Sequence, residues 1–365
     1  MATNKNQHFV PRCYLHQFTL DAADKAINLY NVDRNKFVEL APVKNQCSCD
    51  YFYGKDPKLE EAIQAVERAY GATVRQILQP GYLLTDDHRK LLRRFWLMQH
   101  LRTEAASKRS VEMADAMQSV IDSENPSFRL KIREAVQMAM GVFAESMDIV
   151  SDLKVCLVRN RSRMPFVTSD DPAVLTNRWH LHNAKKTGRS FGLHSAGDLL
   201  LLPISPSILC VAYDGDMHSI SHDRGWAELR NEADADAFNQ HQYLNCSANV
   251  FVQDRAHFEI VQQSFLRVSA LRPSARHRLH YAVLDRTHGD YSRYVVVDHA
   301  NADPHEEALI HTEVVHASPA AWPRQIAWRV GASVFSNGTG IGYVRRAFTH
   351  RSDTTPFKKS AASLT

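Results

Sequence analysis

His8, Arg12, Gln99, Arg102, Ser169 and Asp170 carry the side chains best suited to chemistry in this sequence. Two guanidiniums suit the grip of a phosphate or carboxylate, with Gln99 and Ser169 as neutral hydrogen-bonding partners. Asp170 suits orienting or deprotonating a nucleophile, and His8 suits an acid/base role. Gln99 and Arg102 lie three residues apart, on one face of a helix. His8 shortly precedes Pro11, which holds the chain extended and so places the imidazole firmly. Asp170 stands in Ser169-Asp170-Asp171-Pro172, where an apolar strand ends and a Pro-terminated turn begins, a usual seat for an aimed carboxylate. The same residues also suit a structural part. Asp170 would close an Asx-turn on its own backbone. Arg102 would be its buried ion-pair partner, pinning a helical block to a sheet. The sequence leaves both readings open.

Three other groupings carry weaker chemistry. His180, His182 and His194 share one segment with Asp198, and His218 and His222 are four apart. A His-x-His pair on a strand points both rings the same way, so a divalent metal is a candidate cofactor. No H-E-x-x-H pattern completes it, and the site assignment contains no metal ligand. Arg89, Lys90, Arg93, Arg94, Lys108 and Arg109, with Arg345-Arg346, Arg351 and Lys358-Lys359, suit nucleic-acid phosphates through counterion release. Acidic neighbours at Asp86, Asp87 and Glu104 favour an ordinary wet helix face instead. Gly338-Thr-Gly340-Ile-Gly342 lacks the Lys-Ser/Thr end of a phosphate loop and reads as a plain loop.

The elements that must hold these residues read as α+β. Residues 8–53 read as β-rich, with a hairpin from Ala26–Asn31 through a polar turn to Phe37–Leu40. Asp56 as N-cap and Pro57 in the first turn open a helix whose buried stripe is Leu59, Ile63, Val66, Tyr70, Val74 and Ile77. Pro80-Gly81 ends it. A long helix is expected from Thr85 to about Ser123 and a third from Ser127 to Ile149, giving a helical block. Mixed sheet with helices follows. Strands are expected at 153–158, 165–168, 199–202, 208–213, 250–252 and 294–298, and helices at 232–243 and 257–270. A His-bearing loop fills 177–198. The expected division is 1–271 as one α+β domain and 272–365 as an extension, with a frayed tail from about 352.

Composition bounds the class. The 365 residues are 44% apolar and 23% charged, with a formal charge of +4, which excludes a disordered chain and falls short of a dedicated nucleic-acid binder. Six scattered cysteines fit reduced thiols better than a disulfide framework. No apolar leader or run of the ~20 residues needed to cross a membrane is present, so the expected location is cytoplasmic.

The opening Asn6-Gln7-His8-Phe9-Val10-Pro11-Arg12-Cys13-Tyr14-Leu15-His16-Gln17-Phe18 resembles the start of the bacterial domain of unknown function 4238. Leu29–Arg34, Asp50–Tyr53, Leu59-Glu60 with Glu67, and Phe95 with Gln99, Arg102 and Thr103 resemble its next segments in order. Phe166–Pro172, Leu202–Pro206 and Leu244-Asn245 resemble its later ones, so the similarity spans about residues 6–255. Cys13 stands for an aromatic, Asp171 for Asn, and Glu104 for a Pro that interrupts the family's helix after Arg-Thr. The resemblance implies that the two halves pack as one unit, and it implies no activity.

Together these features lead to one expectation and one rival. The expectation is a hydrolase acting on a phosphate-bearing or nucleic-acid substrate, a chemistry compatible with a nuclease or a role in defence. The rival is a binding or scaffold protein in which the same residues are structural.

Overall fold

A computed structural model describes residues 5–20, 25–121, 129–183, 190–289, 291–302, 307–350 and 355–363. The architecture is α+β, with an N-terminal hairpin, a helical block and then mixed sheet. The helices are α1 (Arg12–Leu15), α2 (Pro57–Ile77), α3 (Asp86–Arg102), α4 (Glu104–Ile121), α5 (Ile132–Glu145), α6 (Arg178–His182), α7 (Glu232–Asn245) and α8 (Phe258–Val268).

A five-stranded sheet forms the centre. Its strands run in the order Trp226–Leu229, Lys154–Asn160, Ile208–Tyr213, Leu199–Ser205 and Val174–Thr176, and only the first pair is parallel. Both faces are covered, which explains why its inner strands Leu199–Ser205 and Ile208–Tyr213 are almost wholly apolar. In Leu199–Ser205 the alternation is clear: Leu200, Leu202 and Ile204 pack toward the helical block, while Leu199 and Leu201 pack against Phe238 of α7. The expected hairpin is present as Ala26–Asn31 and Lys36–Pro42. It joins Asn249–Val252 and Thr168–Ser169 in a four-stranded sheet.

Helix α2 starts and stops as its residues require. The Asp56 carboxylate accepts the Lys58 amide, Pro57 occupies the first turn, and Ile63, Tyr70, Val74 and Ile77 are buried. Tyr70 stacks on Phe95 of α3 with ring centroids 3.6 Å apart, beside Tyr14 of α1. Truncating Phe95 to Ala in such a cluster costs roughly 3–5 kcal/mol.

Several expectations are corrected. Arg12–Phe18 coils into α1 and a 3-10 turn instead of continuing as β, since Tyr14, Leu15 and Phe18 must all reach the same core. The long helix from Thr85 is two helices, broken at Thr103, which is extended at φ −68° and ψ 157°. The break occurs without the family's Pro. The Thr103 hydroxyl accepts the Ala106 amide and donates to Asp171, so side-chain bonding replaces a missing N–H as the cause. The third helix is shorter than expected, and 127–128 lie outside the described residues.

Residues beyond 271 build a sheet of Tyr291–Val297, His277–His288 and Ala308–Val314. They also return into the core. Arg345 is 2% exposed and donates to Asp198 at 2.6 Å and to Asp152 at 2.8 Å. In the tail expected to fray, Lys358–Ala361 pairs with Ser333–Ser336, while 351–354 lie outside the described residues. The Gly338–Gly342 string is the turn between Ser333–Ser336 and Tyr343–Val344, with Gly338 and Gly342 both at φ +77°. Among the described residues no helix is long and apolar enough to cross a membrane.

Candidate functional site

The structure carries Gln99 and Arg102 on the buried face of α3. Gln99 Nε2 donates to the Phe9 carbonyl at 2.8 Å, and its Oε1 accepts Arg102 Nε at 3.1 Å. Arg102 is fully buried, and its NH1 donates to Glu67 of α2 at 2.7 Å. Burial works against this charge, but Tyr53 and Glu67 more than offset it, so the guanidinium is held in its protonated form. Among the described residues no hydrogen bond or ion pair joins Arg102 to Asp170 or Asp171. The expected pin between helical block and turn therefore does not run through Arg102, because Glu67 is nearer to hand and completes the pair.

His8 is half-buried on Asn6–His8, a short strand paired with Ser48–Asp50, and its Nε2 is buried without a partner. Burial, then the nearby cations of Arg12 and Arg102, hold its imidazole below the usual range, against a bond to the Val43 backbone that raises it. Arg12 is exposed at the start of α1. His8, Arg12, Gln99 and Arg102 are thus neighbours.

Asp170 belongs to a different construction. Its Oδ1 accepts the Ser247 amide at 2.7 Å, and its Oδ2 accepts those of Ala248 and Asn249 at 2.9 Å each. Burial pushes its carboxyl up to about 6, against these three amides. The Asp170 carboxylate bonds the 247–249 loop and not the turn's own backbone, where Ser169 Oγ instead accepts the Asp171 amide at 3.3 Å, which corrects the Asx-turn expectation. Helix α7 holds the rest of the turn. Ser169 Oγ donates to Gln242 Oε1 at 2.8 Å, Gln242 Nε2 donates to the Pro172 carbonyl at 2.9 Å, and Asn245 Nδ2 donates to the Asp171 carbonyl at 2.6 Å. Gln242 and Asn245 are three apart on one helix face, as such a clamp requires.

Asp171 joins this turn to the helical block. It is fully buried, accepting Thr103 Oγ1 at 2.7 Å and Arg109 NH1 at 2.7 Å. Arg109 opens onto a cavity of about 330 Å³ between α3, α4, α7 and the segments around 175, 192, 276 and 315. Arg109 and Arg276 are the charged side chains on its wall, and no carboxylate lines it among the described residues. Arg276 is anchored by donating to the Leu244 carbonyl at 2.8 Å, at the C-terminal end of α7. Burial and then the Arg109 charge lower its pKa, against Asp171, so two cations are held close at this wall.

Four histidines complete the lining: His100, His241, His277 and His316. His100 Nδ1 donates to the Ala173 carbonyl at 3.0 Å, which leaves Nε2 as the acceptor of a neutral ring. Burial, then Arg109, lowers its pKa. His316 Nε2 donates to the Phe191 carbonyl at 2.9 Å, and burial holds this ring down to about 4. His241 is buried with Nε2 unpartnered, held down to about 3 by burial. Thr176 Oγ1, also on this wall, is likewise buried and unpartnered.

The sequence reading missed this pocket. Arg109 read as part of a wet helix face, and His241, Arg276 and His316 carried no pattern. One signal was present: Asn239-Gln-His-Gln242 is a polar run inside a helix, and all four are at most 4% exposed. A helix that buries such a run is bonding a neighbour with it.

The other candidates separate. His180 and His182 lie on α6 and not on a strand, so residues two apart project to different sides of the helix. Among the described residues no three His, Cys, Asp or Glu side chains form a group able to hold a metal. The basic residues are largely committed: Arg89 to Asp86, Arg94 to Asp148, Lys108 to Glu104, Arg345 to Asp152 and Asp198, and Arg346 to Asp216.

No curated protein and no solved structure matches this chain. The family model that does match is DUF4238, described as a protein of unknown function, over residues 6–256. Its span includes the Gln99–Arg102 pair, the 169–172 turn and the α7 clamp, and the chain belongs to that family.

Proposed function

We propose that this protein recognises and hydrolyses a phosphate-bearing small molecule in the pocket framed by Arg109 and Arg276. One observation carries the reading: two guanidiniums, Arg109 paired with Asp171 and Arg276 bonded to backbone carbonyls, face a cavity whose described lining holds no carboxylate and whose His241 and His316 rings burial holds down to about 3 and about 4. Such a wall favours an anion, and guanidiniums match phosphate oxygens in paired hydrogen bonds. His100 then supplies the base. Its Nε2 lone pair takes a proton from the attacking water while Ala173 holds the opposite edge of the ring, the ester P–O bond breaks, and the imidazolium returns the proton to the departing alcohol oxygen. A nucleic-acid substrate finds less support, since Arg89, Arg94 and Lys108, among the basic side chains expected to track a backbone, are paired with carboxylates.

Phosphatase assays on 4-nitrophenyl phosphate and nucleoside monophosphates, and nuclease assays on single-stranded DNA and RNA, test the reading. Turnover lost in His100→Gln and weakened in Arg109→Lys, with unchanged melting, is the expected result. Turnover unaffected by both variants overturns it. A second reading, binding without catalysis, is favoured by the residues first expected to do chemistry: Gln99, Ser169 and Asp170 have their polar groups engaged by the fold, and Arg102 is paired with Glu67 through NH1 while its NH2 is buried without a partner. Phosphate binding without turnover of any substrate class would support it.

A further inference from the structure

We propose that the molecule held in this pocket is a single-chain amphiphile: a phosphate monoester head at Arg109 and Arg276 carrying an apolar chain. This inference rests on the anion reading of the site given above. A second cavity, of about 460 Å³, adjoins the first, and Phe191, Gly192 and Val314 line both. Its wall is chemically unlike the first. Among the described residues it has no Lys, Arg, Asp or Glu; Val314, Ile341, Val344, Phe348 and Phe357 line it beside Ser190, His194 and Ser195. The flat face of Phe191 is fixed where the two meet, because it stacks on His316 with ring centroids 3.6 Å apart. The arrangement gives one cationic end, an aromatic threshold and an apolar chamber.

Charge and volume select the occupant. A free phosphate or a sugar phosphate would fill the cationic end and leave the second chamber in contact with nothing it can bind. An uncharged hydrocarbon would leave Arg276, which bonds only backbone carbonyls among the described residues, without an anion, and Arg109 with Asp171 alone. Each cavity lies within the usual range for one small ligand, which fits one slim chain better than a two-chain lipid. A molecule with both properties engages both ends.

Calorimetric titration of the full chain with inorganic phosphate and with butyl, hexyl and octyl phosphate tests this. Burying each methylene gains enough free energy that affinity is expected to rise by at least about tenfold from butyl to octyl phosphate. Ile341→Glu, at a position 62% exposed and therefore tolerant of a charge, is expected to abolish that chain-length gain. Equal affinity across the series, with inorganic phosphate binding as well as the esters, overturns the amphiphile and leaves the anion site standing. A chain-length gain that survives Ile341→Glu places the chain elsewhere and also overturns the proposal. No binding of any phosphate, with the protein folded by circular dichroism, removes the anion reading and this inference with it.

Discussion

Arg109 and Asp171 meet at 2.7 Å across the gap between α4 and the 169–172 turn, and Asp171 takes the Thr103 hydroxyl with its other oxygen. One carboxylate thus fixes the helix break, the turn and the orientation of a guanidinium on the pocket wall. Asp171→Asn removes the charge while keeping the shape. Because Asp171 is fully buried and Arg109 is partly exposed, the loss is expected at about 2–3 kcal/mol, below the range for a wholly enclosed pair. Urea denaturation measures it, and phosphate affinity of the folded variant reports the effect of freeing Arg109.

Asp170→Ala should cost about 3 kcal/mol or more, since it strands the amides of Ser247, Ala248 and Asn249. His8→Ala leaves no comparable set of donors unmatched and is expected to cost less. Comparing the two by chemical denaturation separates the loop-holding part of Asp170 from any part in turnover. Activity retained in Asp170→Ala below its melting temperature would remove it from the chemistry.

Glu67→Gln tests the charge on Arg102. Gln keeps a hydrogen-bond acceptor but leaves a fully buried guanidinium without its counter-ion. A loss of about 3 kcal/mol is expected, seen as a lowered urea midpoint with an unchanged slope. Glu67→Gln with wild-type stability would show that Tyr53 and Gln99 suffice to hold the cation.

Acid should weaken the fold through histidines outside the pocket as well as within it. Burial holds His218 down to about 4, with Arg178 adding to the effect and the Gly197 carbonyl opposing it. The unfolded chain binds a proton on this residue near 6.5, and the folded chain does not. Its stabilising contribution is therefore whole above 6.5 and declines as pH falls toward 4, by roughly 2 kcal/mol at pH 5. Asp170, raised to about 6, has the opposite sign: its share is whole below its unfolded value near 3.8 and is lost as pH rises through 6. A difference measurement isolates the imidazole. The melting temperature of His218→Gln should fall less between pH 7 and pH 5 than that of the wild type.

Local signals carried much of the architecture. Asp56-Pro57 and Pro80-Gly81 bracket α2 because caps and breakers act within a few residues. The break at Thr103 was hidden, since its cause is a carboxylate 68 residues away in the chain. Gln99 and Arg102 were legible as a pair because helical spacing alone puts them together, whereas Arg102 meets Glu67 through packing of α3 on α2. The pocket was illegible for the same reason. His100, Arg109, His241, Arg276 and His316 come from separate elements, and the two from beyond residue 271 lie outside the matched family span.

Arg345 has a consequence for how the chain is made. Asp198, already enclosed by the central sheet, takes its counter-charge from a residue 147 positions later, and Asp152 from the same residue 193 positions later. During synthesis those carboxylates exist long before their cation leaves the ribosome. The nascent sheet must keep that corner hydrated and loosely closed until translation has passed residue 345, and only then does the last water leave it.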